Sequence, residues 1–132
     1  MIKNSCIFCK KNKKKFIYSS RLFFVVRDGY PVTKHHSLII PFRHVTNFFE
    51  LTNNELNDLN NILKIQKKSL LKLDKSIKGF NIGVNAGKVA GQTIMHCHIH
   101  LIPRRQGDVE NPQGGVRGVI PSKQHYIRKN KK

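Results

Sequence analysis

Residues 94–105, IMHCHIHLIPRR, place three histidines at every second position of an otherwise apolar run. Side chains alternate across a β-strand, so a strand here puts His96, His98 and His100 on one face and the apolar residues between them on the other. A core histidine satisfied by the backbone explains one such residue, but explains three poorly. We therefore predict a strand whose apolar face meets the core and whose histidine face carries chemistry.

The segments around this stretch predict an α+β domain. One long helix is expected in residues 51–75, where Thr52 and Glu55 form a capping box ahead of leucines at helical spacing. Strands and a single helix in this order favour a mainly antiparallel sheet over alternating βαβ units. The strands are predicted at FIYSS (16–20), RLFFVVRD (21–28), HSLIIP (36–41), GFNIGVNAG (79–87) and MHCHIHLI (95–102).

Length and composition predict one domain spanning residues 1–132, in which residues 103–132 form an extended basic tail rich in glycine and proline. No apolar run approaches the roughly 20 residues that span a bilayer, and the start lacks a signal-peptide stretch. We therefore expect a cytoplasmic protein with no membrane partner. Its three cysteines are then expected to be reduced.

The formal net charge is +18, from 25 Lys and Arg against 7 Asp and Glu, which favours polyanionic partners. Part of this charge lies in two runs, residues 10–15 and 128–132. These runs are either a nucleic-acid arm or solvated loop charge. We favour solvated charge, because the runs lack the interleaved aromatic residues of a single-strand binding surface.

The three histidines cannot all bind one metal ion. At about 3.3 Å per residue, His96 and His100 are roughly 13 Å apart along an extended backbone, whereas zinc ligands lie about 2 Å from the metal. The histidine face must therefore divide its roles. A neutral imidazole can attack phosphorus as a nucleophile, and the preceding segment NAGKVAGQT offers glycines and polar donors that suit a phosphate.

HCHIHLI resembles the His-x-His-x-His-x-x motif of the histidine triad (HIT) nucleotide hydrolases and transferases. The likeness extends to RDGYPVTKHHSLIIPFRHV, NAGKVAGQTIMHCHIHLIPRR and GDVENPQGGVRGVIPSKQHY, and so covers essentially the whole chain. It implies a five-stranded antiparallel sheet with one long and one short helix. It also implies a homodimer, which the residue patterns alone do not give.

The resemblance implies roles for individual residues. His98 matches the nucleophile, His100 the histidine that contacts phosphate, and His36 an earlier histidine that supports the triad. Asp28 matches a ribose-binding carboxylate, although RDGYP also reads as a turn in which Asp28 is a turn residue; we favour ribose binding. The nucleotide-binding set is Asp28, Asn85, Gly91, Gln92 and Thr93.

Cys6 and Cys9 have the spacing of a zinc knuckle, and by itself this spacing also fits a redox pair. Cys97 faces away from the triad and is expected in the core. Some members of the family that this chain resembles bind zinc through such a cysteine pair and two histidines. The matching histidines here are His44 and His96. We therefore expect a structural zinc held by Cys6, Cys9, His44 and His96, and no organic cofactor.

These expectations together describe a nucleotidyl hydrolase. His98 attacks the α-phosphate of a dinucleoside polyphosphate or related nucleotide, a backbone carbonyl orients its ring, and water releases the nucleoside monophosphate. Arg104 or Arg105 could hold distal phosphates. A nucleoside phosphoramidase of the same family remains an alternative, although AGQT and IPRR are closer to the polyphosphate branch. A nucleic-acid-binding or DNA-end deadenylating protein is the alternative from another class.

Overall fold

A computed structural model describes residues 5–129 and contains one five-stranded sheet with one α-helix, α1 (Asn53–Leu73). Every neighbouring pair of strands is antiparallel, in the order β1-β2-β3-β5-β4. The prediction of an α+β fold with an antiparallel five-stranded sheet is therefore confirmed. The strands are β1 (Tyr18–Ser19), β2 (Phe23–Arg27), β3 (Ser37–Pro41), β4 (Ile77–Gly83) and β5 (Ile99–Arg105).

Helix α1 begins at the predicted capping box. The Thr52 hydroxyl accepts a hydrogen bond from the Glu55 N–H at 3.1 Å, and the Glu55 carboxylate accepts one from the Thr52 N–H at 2.9 Å. These two bonds satisfy backbone donors that the first helical turn leaves unpaired. The buried stripe of the helix, which includes Leu59, Ile62 and Leu70, packs on one face of the sheet.

The apolar residues between the histidines lie in the core, as predicted, and pack beneath this helix. Cys97 and Ile99 belong to the cluster that contains Leu59 and Ile62, and Leu101 packs with Leu70. All three of these triad-strand residues are almost fully buried. Burial raises the pKa of the Cys97 thiol to about 12, so Cys97 is an inert core residue.

The opposite face of the sheet carries a second apolar cluster, made by Phe24, Val26, Leu38 and Ile40 together with Phe8 from the N-terminal segment. Phe8 is also in ring contact with His96 and His98. The sheet therefore separates a helix-covered core from a face on which aromatic residues and histidines meet.

Several predicted strand limits were wrong, and those of β4 and β5 bear on the site. β5 begins at Ile99 rather than at residue 95, because the β3–β5 register would set Cys97 opposite Pro41. Pro41 has no N–H to donate, and its carbonyl is taken by the His96 ring at 2.8 Å. β4 begins at Ile77 and ends at Gly83, so residues 84–87 belong to the following loop.

The predicted start of the tail, residue 103, lies inside β5. Pro103 is buried inside β5, opposite Phe80, so the tail starts at residue 106. The tail is folded on itself rather than extended, since Arg117 donates to the carbonyls of Lys123 and Gln124 and its guanidinium lies 4.5 Å from the Tyr126 ring centroid. Residues 130–132 of the predicted basic run lie outside the described residues.

Within residues 5–129, α1 is the one α-helix, and the expected short helix has only short 3-10 segments as counterparts. None of the helices described is long and apolar enough to cross a bilayer. The 3-10 segments are Lys13–Lys15, Phe48–Glu50, Lys88–Ala90, Gly115–Val119 and Pro121–Lys123.

Candidate active site and metal centre

The His98 ring is held in one tautomer by its own neighbourhood. Its Nδ1 lies 2.8 Å from the carbonyl oxygen of His96, which can only accept, so Nδ1 carries the proton and donates. Nε2 is then left with a free lone pair, the form in which imidazole is nucleophilic. The sequence predicted a carbonyl in this role without identifying it, and the structure supplies His96.

His36 and His100 form a second hydrogen-bonded unit. The Val32 N–H donates to His36 Nδ1 at 3.1 Å, so the proton of neutral His36 lies on Nε2, which donates to His100 Nδ1 at 2.9 Å. His100 therefore carries its own proton on Nε2, where it can donate to an anionic oxygen. Burial lowers the pKa of His36 and lowers that of His100 to about 4, so both rings are neutral near pH 7.

Asp28 makes the turn contact considered for it and also lies beside two of the histidines. Its Oδ1 accepts from the Tyr30 N–H at 2.8 Å, which is the turn contact, and its Oδ2 lies 3.4 Å from His36 Nε2 and 3.9 Å from His100 Nδ1. Ribose binding stays a prediction. These three side chains are close enough to hold a metal ion, with ligand atoms within 4.8 Å. An ion would need a lone pair on His36 Nε2, however, and the Val32 contact places a proton there.

The loop between β4 and the triad is closed by Gln92. Its side chain is buried, with Oε1 accepting from the Gly87 N–H at 2.8 Å and Nε2 donating to the carbonyls of Thr46 at 2.6 Å and Ile94 at 3.1 Å. Gly87 and Gly91 both have φ of 100°, which favours glycine. Both amide protons of Gln92 are thus committed to backbone. A phosphate contact by this side chain, as predicted, would require it to release one of them.

Two of the predicted nucleotide-binding residues, Asn85 and Thr93, line different cavities. A groove of about 600 Å³ brings together His36, His100 and Asn85 with apolar side chains and the tail segment Gly115–Val119. A separate cavity of about 400 Å³ contains Thr93 beside Cys6 and His44. Gly91 lies against the Asn85 side chain. The tail wall of the first groove was missed, because no motif in the tail signals which surface it covers.

Both arginines proposed for distal phosphates are engaged elsewhere. Arg104 pairs with Asp108 through two bonds of 2.8 Å and donates to Asn81 at 2.6 Å, and Arg105 pairs with Asp74 at 2.9 Å. Each guanidinium is already paired with a carboxylate, Asp108 or Asp74. The suggestion that one of these arginines binds the distal phosphates is therefore not supported.

The four predicted metal ligands converge. Cys6 Sγ lies 3.4 Å from His96 Nδ1, Cys9 Sγ lies 3.2 Å from His44 Nδ1, and all four ligand atoms lie within 4.8 Å of one another. Tetrahedral zinc, with bonds of about 2.0–2.3 Å, separates its ligand atoms by roughly 3.3–3.8 Å. His96 Nε2 donates to the Pro41 carbonyl at 2.8 Å, which leaves Nδ1 with its lone pair toward the cluster. The donor set and the tautomer therefore fit a zinc ion.

Comparison with known proteins agrees with this geometry. The HIT domain family model matches residues 10–107. An uncharacterized HIT-like protein of Methanocaldococcus jannaschii is 38% identical over 110 residues, 80% of this chain and 83% of that protein. The adenosine 5'-monophosphoramidase of Candida albicans is 34% identical, covering 76% of this chain and 71% of the enzyme. The asymmetrical bis(5'-nucleosyl)-tetraphosphatase of Schizosaccharomyces pombe is 39% identical, covering 69% of this chain and 50% of the enzyme.

Among solved structures, the crystal structure of a zinc-bound histidine triad family protein from Mycobacterium smegmatis superimposes with a TM-score of 0.71 at 30% identity, covering 79% of this chain and 78% of that one. Sequence and fold thus give the same assignment: the chain belongs to the histidine triad (HIT) family.

Proposed function

We propose that this protein is a nucleotide hydrolase that uses His98 as its nucleophile. The observation that carries the proposal is the pair of tautomers in the triad. His98 has a free lone pair on Nε2, and His100 has a proton on Nε2. One ring can therefore attack phosphorus while the next one donates to the phosphate. The two enzymes compared above act on nucleotides, one as a phosphoramidase and the other as a tetraphosphatase.

In the proposed reaction, His98 Nε2 forms a bond to the α-phosphorus and the bond to the leaving group breaks. The product of this step is a nucleotidyl-histidine. As Nε2 becomes bonded, positive charge develops on the ring, and the His96 carbonyl stabilises it through Nδ1–H. His100 Nε2–H donates to a non-bridging oxygen. Water then attacks phosphorus, which releases nucleoside monophosphate and restores neutral His98.

We favour a dinucleoside polyphosphate as the substrate. The net charge of +18 attracts a highly anionic ligand, and the AGQT and IPRR segments resemble that branch. Phosphoramidase activity is the alternative, because the phosphoramidase relative has comparable identity over more of this chain. Initial rates with diadenosine tetraphosphate and adenosine phosphoramidate separate the two.

We further propose that Cys6, Cys9, His44 and His96 hold one structural zinc per chain, which would tie the N-terminal segment to the sheet. The donor set described above and the zinc-bound relative support this. Elemental analysis of protein purified without added metal should find about one zinc per chain, and Cys9→Ser should lower that content. Metal-free wild-type protein that folds and unfolds normally would contradict it.

A homodimer, a cytoplasmic location and a single domain over the whole chain stay predictions. For the dimer, β4 is a terminal strand of the sheet, and on it Ile82 is half exposed. A terminal strand with an exposed apolar side chain suits pairing with a second copy. Sedimentation equilibrium with Ile82→Lys as the disruptive variant tests this.

His98→Ala is the decisive variant for the hydrolase. We expect turnover to fall by several orders of magnitude, as for other removed nucleophiles, while nucleotide binding persists. His125→Ala is a matched control, because His125 is exposed in the tail and its ring hydrogen-bonds the Asn111 carbonyl, away from the triad. Mass analysis of acid-quenched wild-type protein should show the added nucleotidyl group. Near-normal turnover by folded His98→Ala would refute the assignment.

The nucleic-acid alternative predicts a different outcome. Neutralising the lysines of residues 10–15 should then abolish DNA binding and DNA-end deadenylation. In the hydrolase proposal it should leave turnover of a small nucleotide largely intact.

A further inference from the structure

Phe8 stands between the two cysteines of the knuckle and has no role in the function proposed so far. Its side chain is only 3% exposed, and it packs with Phe24 and Val26 on the histidine-bearing face of the sheet. Its ring centroid lies 5.1 Å from that of His98 and 5.8 Å from that of His96. One aromatic ring therefore touches both a proposed metal ligand and the proposed nucleophile.

The contact with His98 bears on how that ring is oriented. The planes of Phe8 and His98 meet at 69°, an edge-to-face arrangement of the kind that aromatic pairs favour. The torsion that rotates an imidazole about its bond to Cβ is broad and roughly two-fold, so intrinsic preference does not select one orientation. A half-turn of the ring would move Nδ1 away from the His96 carbonyl. Among the described residues, Phe8 and His100, the latter with its centroid 5.3 Å away, are the rings in contact with His98.

The position of Phe8 is in turn set by the knuckle. The Cys9 N–H donates to Cys6 Sγ at 3.4 Å, and the Lys10 N–H donates to the Cys6 carbonyl at 3.2 Å, which closes the turn around Phe8. Both thiols contact the imidazoles of the proposed metal centre. Whatever holds the thiols in place therefore also holds Phe8 against His98.

We propose that Phe8 is a positioning residue for His98, and that the Cys6–Cys9 knuckle couples metal binding to the orientation of the nucleophile. The kinetic part of this inference rests on the proposed role of His98. The orientational part can be measured without turnover.

The test compares Phe8→Leu with Phe16→Leu. Phe16 is a matched control, because it packs against the same cluster, stacked on Phe24 at 4.3 Å, and the ring contacts described for it involve only phenylalanines. Phe8→Leu should lower kcat roughly tenfold to a hundredfold, the size of loss expected when a reacting group is misplaced, with little change in KM. Phe16→Leu should leave kcat near the wild-type value. A raised KM with unchanged kcat for Phe8→Leu would refute positioning, since Phe8 would then only bind nucleotide.

Long-range proton–nitrogen NMR spectra supply the readout that does not depend on activity. In wild-type protein and in Phe16→Leu, His98 should show the single tautomer protonated on Nδ1, whereas Phe8→Leu should show a mixture of tautomers or broadened signals. Wild-type protein stripped of metal by a chelator should change in the same way as Phe8→Leu. An unaltered His98 signal in both cases overturns the inference. Full activity of His98→Ala would instead overturn the proposed function and the kinetic part of this inference, while the NMR spectra would still decide the orientational part.

Discussion

Replacing Gln92 with alanine tests whether this side chain braces the loop or binds phosphate. The substitution removes three hydrogen bonds, to the Gly87 N–H and to the carbonyls of Thr46 and Ile94. A buried backbone group left without a partner costs about 1–3 kcal/mol. Three such penalties would sum to roughly 3–9 kcal/mol, and because water can reach part of a surface loop we expect a total loss of about 3–4 kcal/mol in the free energy of unfolding.

Urea unfolding followed by circular dichroism measures this loss. Thr93→Ala is the matched control, since Thr93 is the next residue and is exposed. No hydrogen bond of its hydroxyl is found among the described residues. Its replacement should change stability by no more than about 0.5 kcal/mol. If Gln92→Ala unfolds at the wild-type urea concentration but binds nucleotide weakly, Gln92 is a ligand and the brace interpretation is wrong.

Three further outcomes are expected. Glu55→Gln should lose about 1–3 kcal/mol in urea unfolding, because the buried carboxylate accepts two bonds from an arginine and one from the helix cap. Gly114→Ala should speed tail proteolysis more than Gly107→Ala, because both glycines have a positive φ that strains alanine, but only at Gly114 would a Cβ also overlap the Gln124 carbonyl. Since burial lowers the pKa of His100 to about 4, its contribution to stability is present above the unfolded pKa of about 6.5 and is lost as the pH falls through about 4. The melting temperature should therefore fall as the pH is lowered from about 6.5 to about 4, and it should fall less steeply in His100→Asn.

The fold could be predicted because its main signals are local and repeated. The alternation of histidines with apolar residues indicated which side chains of that segment face the core. The capping box at Thr52 indicated where the helix begins. Both depend on contacts within a few residues, so a single sequence contains them. The start of β5 could not be predicted, because it depends on Pro41, a residue far away in sequence that faces the strand only after folding.

The candidate site shows the same limit in chemical terms. In AGQT, Gln92 and Thr93 look alike as neutral polar residues next to a glycine. Folding buries the first behind three backbone contacts and leaves the second exposed. Which of two adjacent donors is free for a ligand is decided by how the loop closes on Thr46. The sequence alone does not show that the Gln92 side chain reaches the Thr46 carbonyl.

The division of labour among the three histidines follows from what the second nitrogen of each ring contacts. His96 gives its Nε2 proton to the Pro41 carbonyl, which keeps Nδ1 available for a metal. His98 gives its Nδ1 proton to the His96 carbonyl, which frees Nε2 for attack, and His100 accepts at Nδ1 from His36, which keeps a proton on Nε2 for donation. The alternating spacing showed that the roles had to differ. The three backbone and side-chain partners, none of them visible in the motif, determine which role each ring can take.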